Sequence, residues 1–102
     1  MEQNLINTLK PFVERFNELT KEAHAAYKPQ VDALIKSKST NNNEIELLFD
    51  YMLDFCGDSQ MLLLYKKLCR YYWEINPQAT AIYINYYREM WDNTTDKNDE
   101  NE

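Results

Sequence analysis

Residues 61–91 read MLLLYKKLCRYYWEINPQATAIYINYYREMW and contain six of the eight tyrosines and both tryptophans. Within this stretch Asn76 precedes Pro77. This pair is typical of a helix start, because asparagine caps a first turn in which proline is preorganised. The stretch therefore predicts a hairpin of two helices with a tight connection near residues 74–77. Its predicted core stripe comprises Leu64, Tyr65, Leu68, Tyr72, Ile82, Tyr83, Tyr86 and Met90.

Upstream, apolar residues between positions 5 and 27 recur at alternating spacings of three and four, the pattern of one helical stripe. Pro11 fits such a helix best in the first turn, where its missing N–H costs little. Asn7 or Thr8 is therefore the predicted N-cap. The stripe consists of Leu5, Leu9, Phe12, Val13, Phe16, Leu19, Ala23, Ala26 and Tyr27.

A second proline, Pro29, follows this stripe. Its ring disfavours helical backbone at Lys28, the residue before it. Val31, Leu34 and Ile35 nevertheless keep the helical spacing. We therefore predict a long first helix that is kinked or broken near Pro29 and is followed by a polar loop over residues 37–43.

The next helix carries signals at both ends. Asn43 and Glu46 have the spacing of a capping box, in which each side chain accepts from the backbone N–H of the other residue. An apolar arc then continues to about Cys56. Gly57, the only glycine in the chain, stands where a left-handed helix C-terminus would need it.

Composition supports the same fold class. One glycine and three prolines disfavour a turn-rich β fold, and a mass of 12.3 kDa suits one domain. The predicted fold is an all-α bundle of four principal helices over residues 1–92. Residues 93–102 contain no apolar side chain and are predicted to form a disordered acidic tail.

The net charge of −6 is unevenly distributed, because residues 39–58 carry five acids and no base. Four of these acids recur every fourth residue, so they share one helix face, where like charges oppose helix stability. Three interpretations stay open: a solvated face, a docking surface for a basic partner, and a divalent-cation site. This acidic ridge comprises Glu46, Asp50, Asp54 and Asp58.

A second candidate surface lies at the edges of the aromatic hairpin. Aromatic side chains are enriched at protein interfaces, and they also pack well in cores with their polar tips at the surface. The apolar arcs of these two helices are too wide for the first and second helices to cover completely. Part of their border is therefore a predicted partner-binding site. This aromatic border comprises Tyr71, Trp73, Tyr87 and Trp91.

Apart from the acidic ridge, the sequence offers no pattern for a catalytic, cofactor or metal site. His24 is the only histidine, and no glutamate precedes it by three residues as a di-metal helical bundle requires. Cys56 and Cys69 lie within apolar arcs and lack CxxC spacing, so we expect buried free thiols. A single glycine excludes a glycine-rich phosphate loop. The chain is not expected to be an enzyme.

The charge pattern also limits the partners. Lys66, Lys67 and Arg70 form a small basic cluster in an acidic chain, whereas nucleic-acid readers show a strong basic footprint. No window approaches the ~18 apolar residues of a membrane span. We therefore predict a cytoplasmic interaction or regulatory protein that binds another protein or a second copy of itself. Two alternatives are an acidic inhibitor or immunity-type protein that binds a basic nuclease or nucleic-acid-binding protein, and a homo-oligomeric structural protein.

Overall fold

The computed structural model describes the backbone of residues 2–92 and the side chains of residues 5–92. The predicted acidic tail, residues 93–102, lies outside this range. Within the range there are four helices and no strand, which confirms the predicted all-α bundle. The helices are α1 (Glu2–Lys36), α2 (Asn42–Leu53), α3 (Ser59–Trp73) and α4 (Pro77–Trp91).

Helix α1 runs for 35 residues through both Pro11 and Pro29. It begins at Glu2, so the prediction of an N-cap at Asn7 or Thr8 is wrong. At ~1.5 Å per residue such a helix is about 52 Å long. This length accounts for the largest extent of the molecule, 53 Å.

Of the two predicted forms of α1, separate or continuous at Pro29, the structure shows the continuous one. A proline inside a helix lacks the N–H that would bond the carbonyl four residues earlier. In the same turn the side-chain amide of Gln30 donates to the carbonyl of Ala26 at 3.1 Å. Packing on both sides of the proline holds the helix together, since Thr20 before it and Val31 and Leu34 beyond it are all buried.

Helix α1 ends in a left-handed residue, Lys38, whose φ is 59°. The amide of Ser39 bonds the carbonyl of Leu34 at 3.1 Å, and the amide of Lys38 bonds the carbonyl of Ile35 at 3.0 Å. These two bonds form a Schellman motif, which satisfies the last carbonyls of a helix. The chain thereby turns back towards α2.

The N-cap of α2 is Asn41, whose side-chain oxygen accepts from the amide of Glu44 at 3.1 Å. The prediction that Asn43 caps this helix is wrong. Asn41 and Glu44 have the same capping-box spacing as Asn43 and Glu46, so the sequence offers two overlapping starts. The earlier start leaves the Glu46 side chain available for a contact with another helix.

Gly57 has no positive φ, so the predicted left-handed helix end is wrong. Helix α2 stops at Leu53, before the predicted end at Cys56. The reason for glycine is steric, because a Cβ at position 57 would lie 2.8 Å from Cζ3 of Trp91. The chain then enters α3 through Asp58, whose carboxylate accepts from the amide of Met61 at 3.0 Å.

Phe49 of α2 is fully buried and lies at the centre of the core. Its ring stacks on Tyr83 at 4.7 Å and meets the edge of Tyr65 at 5.0 Å, which joins α2 to α4 and α3. The Tyr65 hydroxyl donates to the carbonyl of Tyr83 at 2.7 Å. The buried apolar residues are Val31, Leu34, Ile45, Leu48, Phe49, Met52, Cys56, Met61, Leu64, Tyr65, Leu68, Cys69, Tyr72 and Tyr83.

Helix α4 contributes less to this core than predicted. Only Thr80 and Tyr83 are buried on it. The predicted core positions Ile82, Tyr86 and Met90 are exposed, so that part of the core prediction is wrong. Among the four described helices, α4 packs on α3 and α2 alone, and these helices leave its outer half uncovered.

Candidate interaction surface

The N-terminal part of α1 extends away from the bundle. Every residue from 5 to 19 is exposed, and Thr20 is the first buried side chain among residues 5–36. We call residues 5–19 the N-terminal arm. Fifteen helical residues span about 22 Å, so the arm is as long as either helix of the hairpin.

One face of the arm is strongly apolar. Its seven large apolar side chains expose between 39% and 70% of their surface. A fully exposed large side chain has an accessible surface of ~200 Å², so at these exposed fractions the seven together present roughly 700 Å² to solvent. Exposed apolar patches larger than a few hundred Å² are rare on monomeric proteins and mark interaction sites. This arm stripe comprises Leu5, Ile6, Leu9, Phe12, Val13, Phe16 and Leu19.

The arm stripe continues a face that is buried further along the same helix. Residues three or four apart in a helix share one face, so Phe16 leads through Thr20 and Ala23 to Val31. Thr20 and Val31 are buried against the bundle. The arm therefore presents the same kind of surface that α2 and α3 cover elsewhere on α1.

A groove of about 440 Å³ lies where the arm leaves the bundle. The ring of Phe16 packs on Phe55 at 5.8 Å on one side of this position. Trp91 is held by a bond of 2.8 Å from its indole Nε1 to the carbonyl of Leu53. We call this the root groove, and it is lined by Phe16, Asn17, Thr20, Lys21, Gly57, Asp58 and Trp91.

The polar face of the arm and of the turn that follows it is electrically neutral. Residues 5–22 contain three basic and three acidic side chains, whereas the whole chain carries −6. The arm is thus apolar on one side and charge-balanced on the other. These charged residues are Lys10, Glu14, Arg15, Glu18, Lys21 and Glu22.

Two members of the acidic ridge face tyrosines of the hairpin. The Tyr72 hydroxyl donates to Oε2 of Glu46. Burial, together with the nearby carboxylates of Asp50 and Glu46, raises the pKa of Tyr83 to about 12. Glu46 therefore joins α2 to α3 by a hydrogen bond, and Asp50 lies near the Tyr83 hydroxyl of α4.

The other two members of the ridge lie outside the body of α2. Asp54 is the C-cap of α2, and Asp58 is the N-cap of α3. Among the side chains of residues 5–92, no group of three or more histidines, cysteines or carboxylates is arranged to hold a metal ion. The structure thus gives Glu46 and Asp58 local structural roles, and the role of the acidic ridge in docking stays a prediction.

The aromatic border is divided between the two ends of the hairpin. Trp73 ends α3 beside the connection, whereas Trp91 ends α4, about 20 Å further along that helix. The Tyr71 hydroxyl donates to the carbonyl of Ser39, and Tyr87 is partly buried against the core. The structure therefore does not gather the four residues into one surface, and their role in binding a partner stays a prediction.

Both cysteines are buried free thiols, as predicted. Burial raises the pKa of Cys56 to about 12 and that of Cys69 to about 12. A nucleophilic cysteine instead needs a lowered pKa. The two thiols therefore act as small core residues.

The sequence predicts the stripe of the arm but not its exposure. The helix lengths indicate this exposure, because α1 has 35 residues, whereas α2 and α3, which pack against it, have only 12 and 15. Part of α1 must therefore extend past its neighbours.

Comparison of the chain with protein-family models, with curated proteins and with solved structures found no match. None of the helices within residues 2–92 combines the length and the apolar character needed to cross a bilayer. The functional assignment therefore depends on the surfaces described above.

Proposed function

We propose that this chain is a non-catalytic protein that acts by binding another polypeptide, with the N-terminal arm as its principal binding surface. The observation that carries the proposal is the arm stripe, seven large apolar side chains exposed on one face of a helix. An amphipathic helix that lays its apolar face into a groove or against another helix is a common mode of protein recognition.

A protein partner fits the arm better than a lipid surface does. Helices that lie on membranes are rich in lysine and arginine on the polar face, which attracts anionic headgroups. The arm and the turn after it instead balance three bases with three acids. Such a face gains no net attraction from an anionic membrane.

The acidic inhibitor interpretation has less support. The concentration of acids in residues 39–58 favours a basic partner, but Glu46 bonds Tyr72 and Asp58 caps a helix. We place the protein in the cytoplasm, because two buried free thiols suit a reducing compartment. In this proposal the partner-binding protein is regulatory or structural rather than enzymatic.

A photo-crosslinking experiment tests the proposal. Phe12 is replaced by p-benzoylphenylalanine in cells of the source organism, which are irradiated and analysed by denaturing gel and mass spectrometry. We expect a crosslink to a polypeptide, either another protein or a second copy. Asn7 is the matched control, because it is exposed on the opposite side of the arm and should give no product. Equal crosslinking at both positions, or none at position 12, would refute the proposal.

A further inference from the structure

The arm stripe is centred on its most exposed member. Phe12 exposes 70% of its surface and lies midway between Leu5 and Leu19. If a second arm runs antiparallel across a two-fold axis at Phe12, its Leu5 faces Leu19 and its Leu19 faces Leu5. The stripe therefore complements itself, as the contact surface of a two-fold dimer must.

The size of the stripe fits such a pairing. Standard protein interfaces bury ~800 Å² on each partner, and the arm offers roughly 700 Å² of apolar side chain. A large aromatic residue at the centre, where it loses contact with water, is the usual position of an interface hot spot. Phe12 occupies this position at the two-fold axis.

Charge favours the antiparallel arrangement of two arms. The molecule carries −6, but residues 5–22 are neutral, so the acidity lies in the bundle and the tail. Antiparallel arms place the two bundles at opposite ends of a contact about 22 Å long. This separation exceeds the screening length of ~8 Å at physiological salt, whereas parallel arms would place the acidic bundles side by side.

The root groove provides a place for the tip of the second arm. In the antiparallel arrangement Leu5 of the second copy lies beside Leu19, at the level of the groove between Phe16 and Trp91. The groove has about 440 Å³, and its two aromatic walls, Phe16 and Trp91, stand beside the polar side chains Asn17, Thr20, Lys21 and Asp58.

We propose that the polypeptide bound by the arm is a second copy of this chain, and that two arms pair antiparallel about Phe12 with each tip beside the other copy's root groove. This inference rests on the proposed function and identifies the partner. Two helices pack through their apolar faces, and each copy covers the face that the other exposes.

Sedimentation equilibrium at high micromolar concentration tests this pairing. The unaltered chain should have twice the mass of one chain, which is 12.3 kDa. Phe12→Glu should sediment as one chain, because a charge at the centre of the contact would be buried without a partner. Asn7→Glu adds the same charge on the opposite face and should keep the double mass. Circular dichroism should be the same for all three, since both positions are exposed.

Each other outcome overturns the inference. A single-chain mass for the unaltered protein would exclude the dimer, and a double mass for Phe12→Glu would place the contact elsewhere. Photo-crosslinking of Phe12 to a different protein would then leave the proposed function intact while refuting self-pairing. Sedimentation of single chains with vesicles of phosphatidylglycerol and phosphatidylcholine, abolished by Phe12→Glu, would replace the protein partner by a lipid surface.

Discussion

Phe49→Ala should destabilise the fold more than any change on the arm, because its ring joins three helices. The side chain is fully buried and packs against Tyr83 and Tyr65 with ring centroids 4.7 and 5.0 Å apart. Replacement of a core phenylalanine by alanine typically removes about 3–5 kcal/mol from the free energy of unfolding. We expect roughly 4 kcal/mol here, since each ring pair adds about 0.5–1.5 kcal/mol beyond the buried area.

Urea unfolding followed by circular dichroism measures this loss. With a slope of roughly 1–3 kcal/mol per molar urea, the midpoint should fall by about 2 M. Leu63→Ala on α3 is the control, because Leu63 is exposed and its truncation should change the free energy of unfolding by less than about 0.5 kcal/mol. All proteins are compared at one concentration. A loss below about 1 kcal/mol for Phe49→Ala, or equal losses for both variants, would refute this description of the core.

Three further predictions concern single contacts. Gly57→Ala should displace the Trp91 ring, since a Cβ would approach Cζ3 to 2.8 Å, and should shift the tryptophan fluorescence and lower the melting temperature; an unchanged spectrum and melting temperature would contradict the steric reason for glycine. Hydrogen-bonded ion pairs with Lys28 at 2.8 Å and Lys67 at 2.7 Å lower the pKa of Asp32 from 3.8 to about 2. The stability that the Asp32 carboxylate contributes above pH 3.8 should therefore be lost as the pH falls towards 2. Asp32→Asn should show a smaller fall in melting temperature over that range, and an identical pH profile would show that the ion pairs do not contribute. Because burial raises the pKa of Cys56 and of Cys69 to about 12, iodoacetamide at pH 8 should label neither thiol in the folded protein and both in denaturant; rapid labelling without denaturant would contradict their burial.

The arm shows what hydrophobic periodicity can and cannot predict. The spacing from Leu5 to Leu19 correctly predicts a helix with one apolar face. Periodicity identifies that face but not what covers it, and the structure leaves the face exposed. The aromatic border stays a predicted partner-binding site, and within it Trp91 uses its indole to bond the carbonyl of Leu53.

The local corrections have a common origin in tertiary packing. Two overlapping capping boxes start at Asn41 and Asn43, and local chemistry alone does not choose between them. A glycine just after a helix is typical of a left-handed helix end, but the reason for Gly57 is the ring of Trp91, which leaves no room for a Cβ. Pro29 weakens one backbone bond, and burial of residues beyond it keeps α1 in one piece. The sequence therefore predicts the helices well. It predicts less well where each helix ends and which of its faces other helices bury.

Disulfide trapping at Phe12 tests most directly whether two arms pair. In the proposed dimer the two copies of residue 12 meet at the two-fold axis, so Phe12→Cys should bring two thiols within the ~7 Å between Cα atoms that a disulfide allows. The native cysteines are buried and should not interfere. We predict that mild oxidation converts Phe12→Cys to a covalent dimer and leaves Leu5→Cys, which would face Leu19, as single chains. No covalent dimer with Phe12→Cys, or equal trapping with both variants, would contradict antiparallel pairing of the arms.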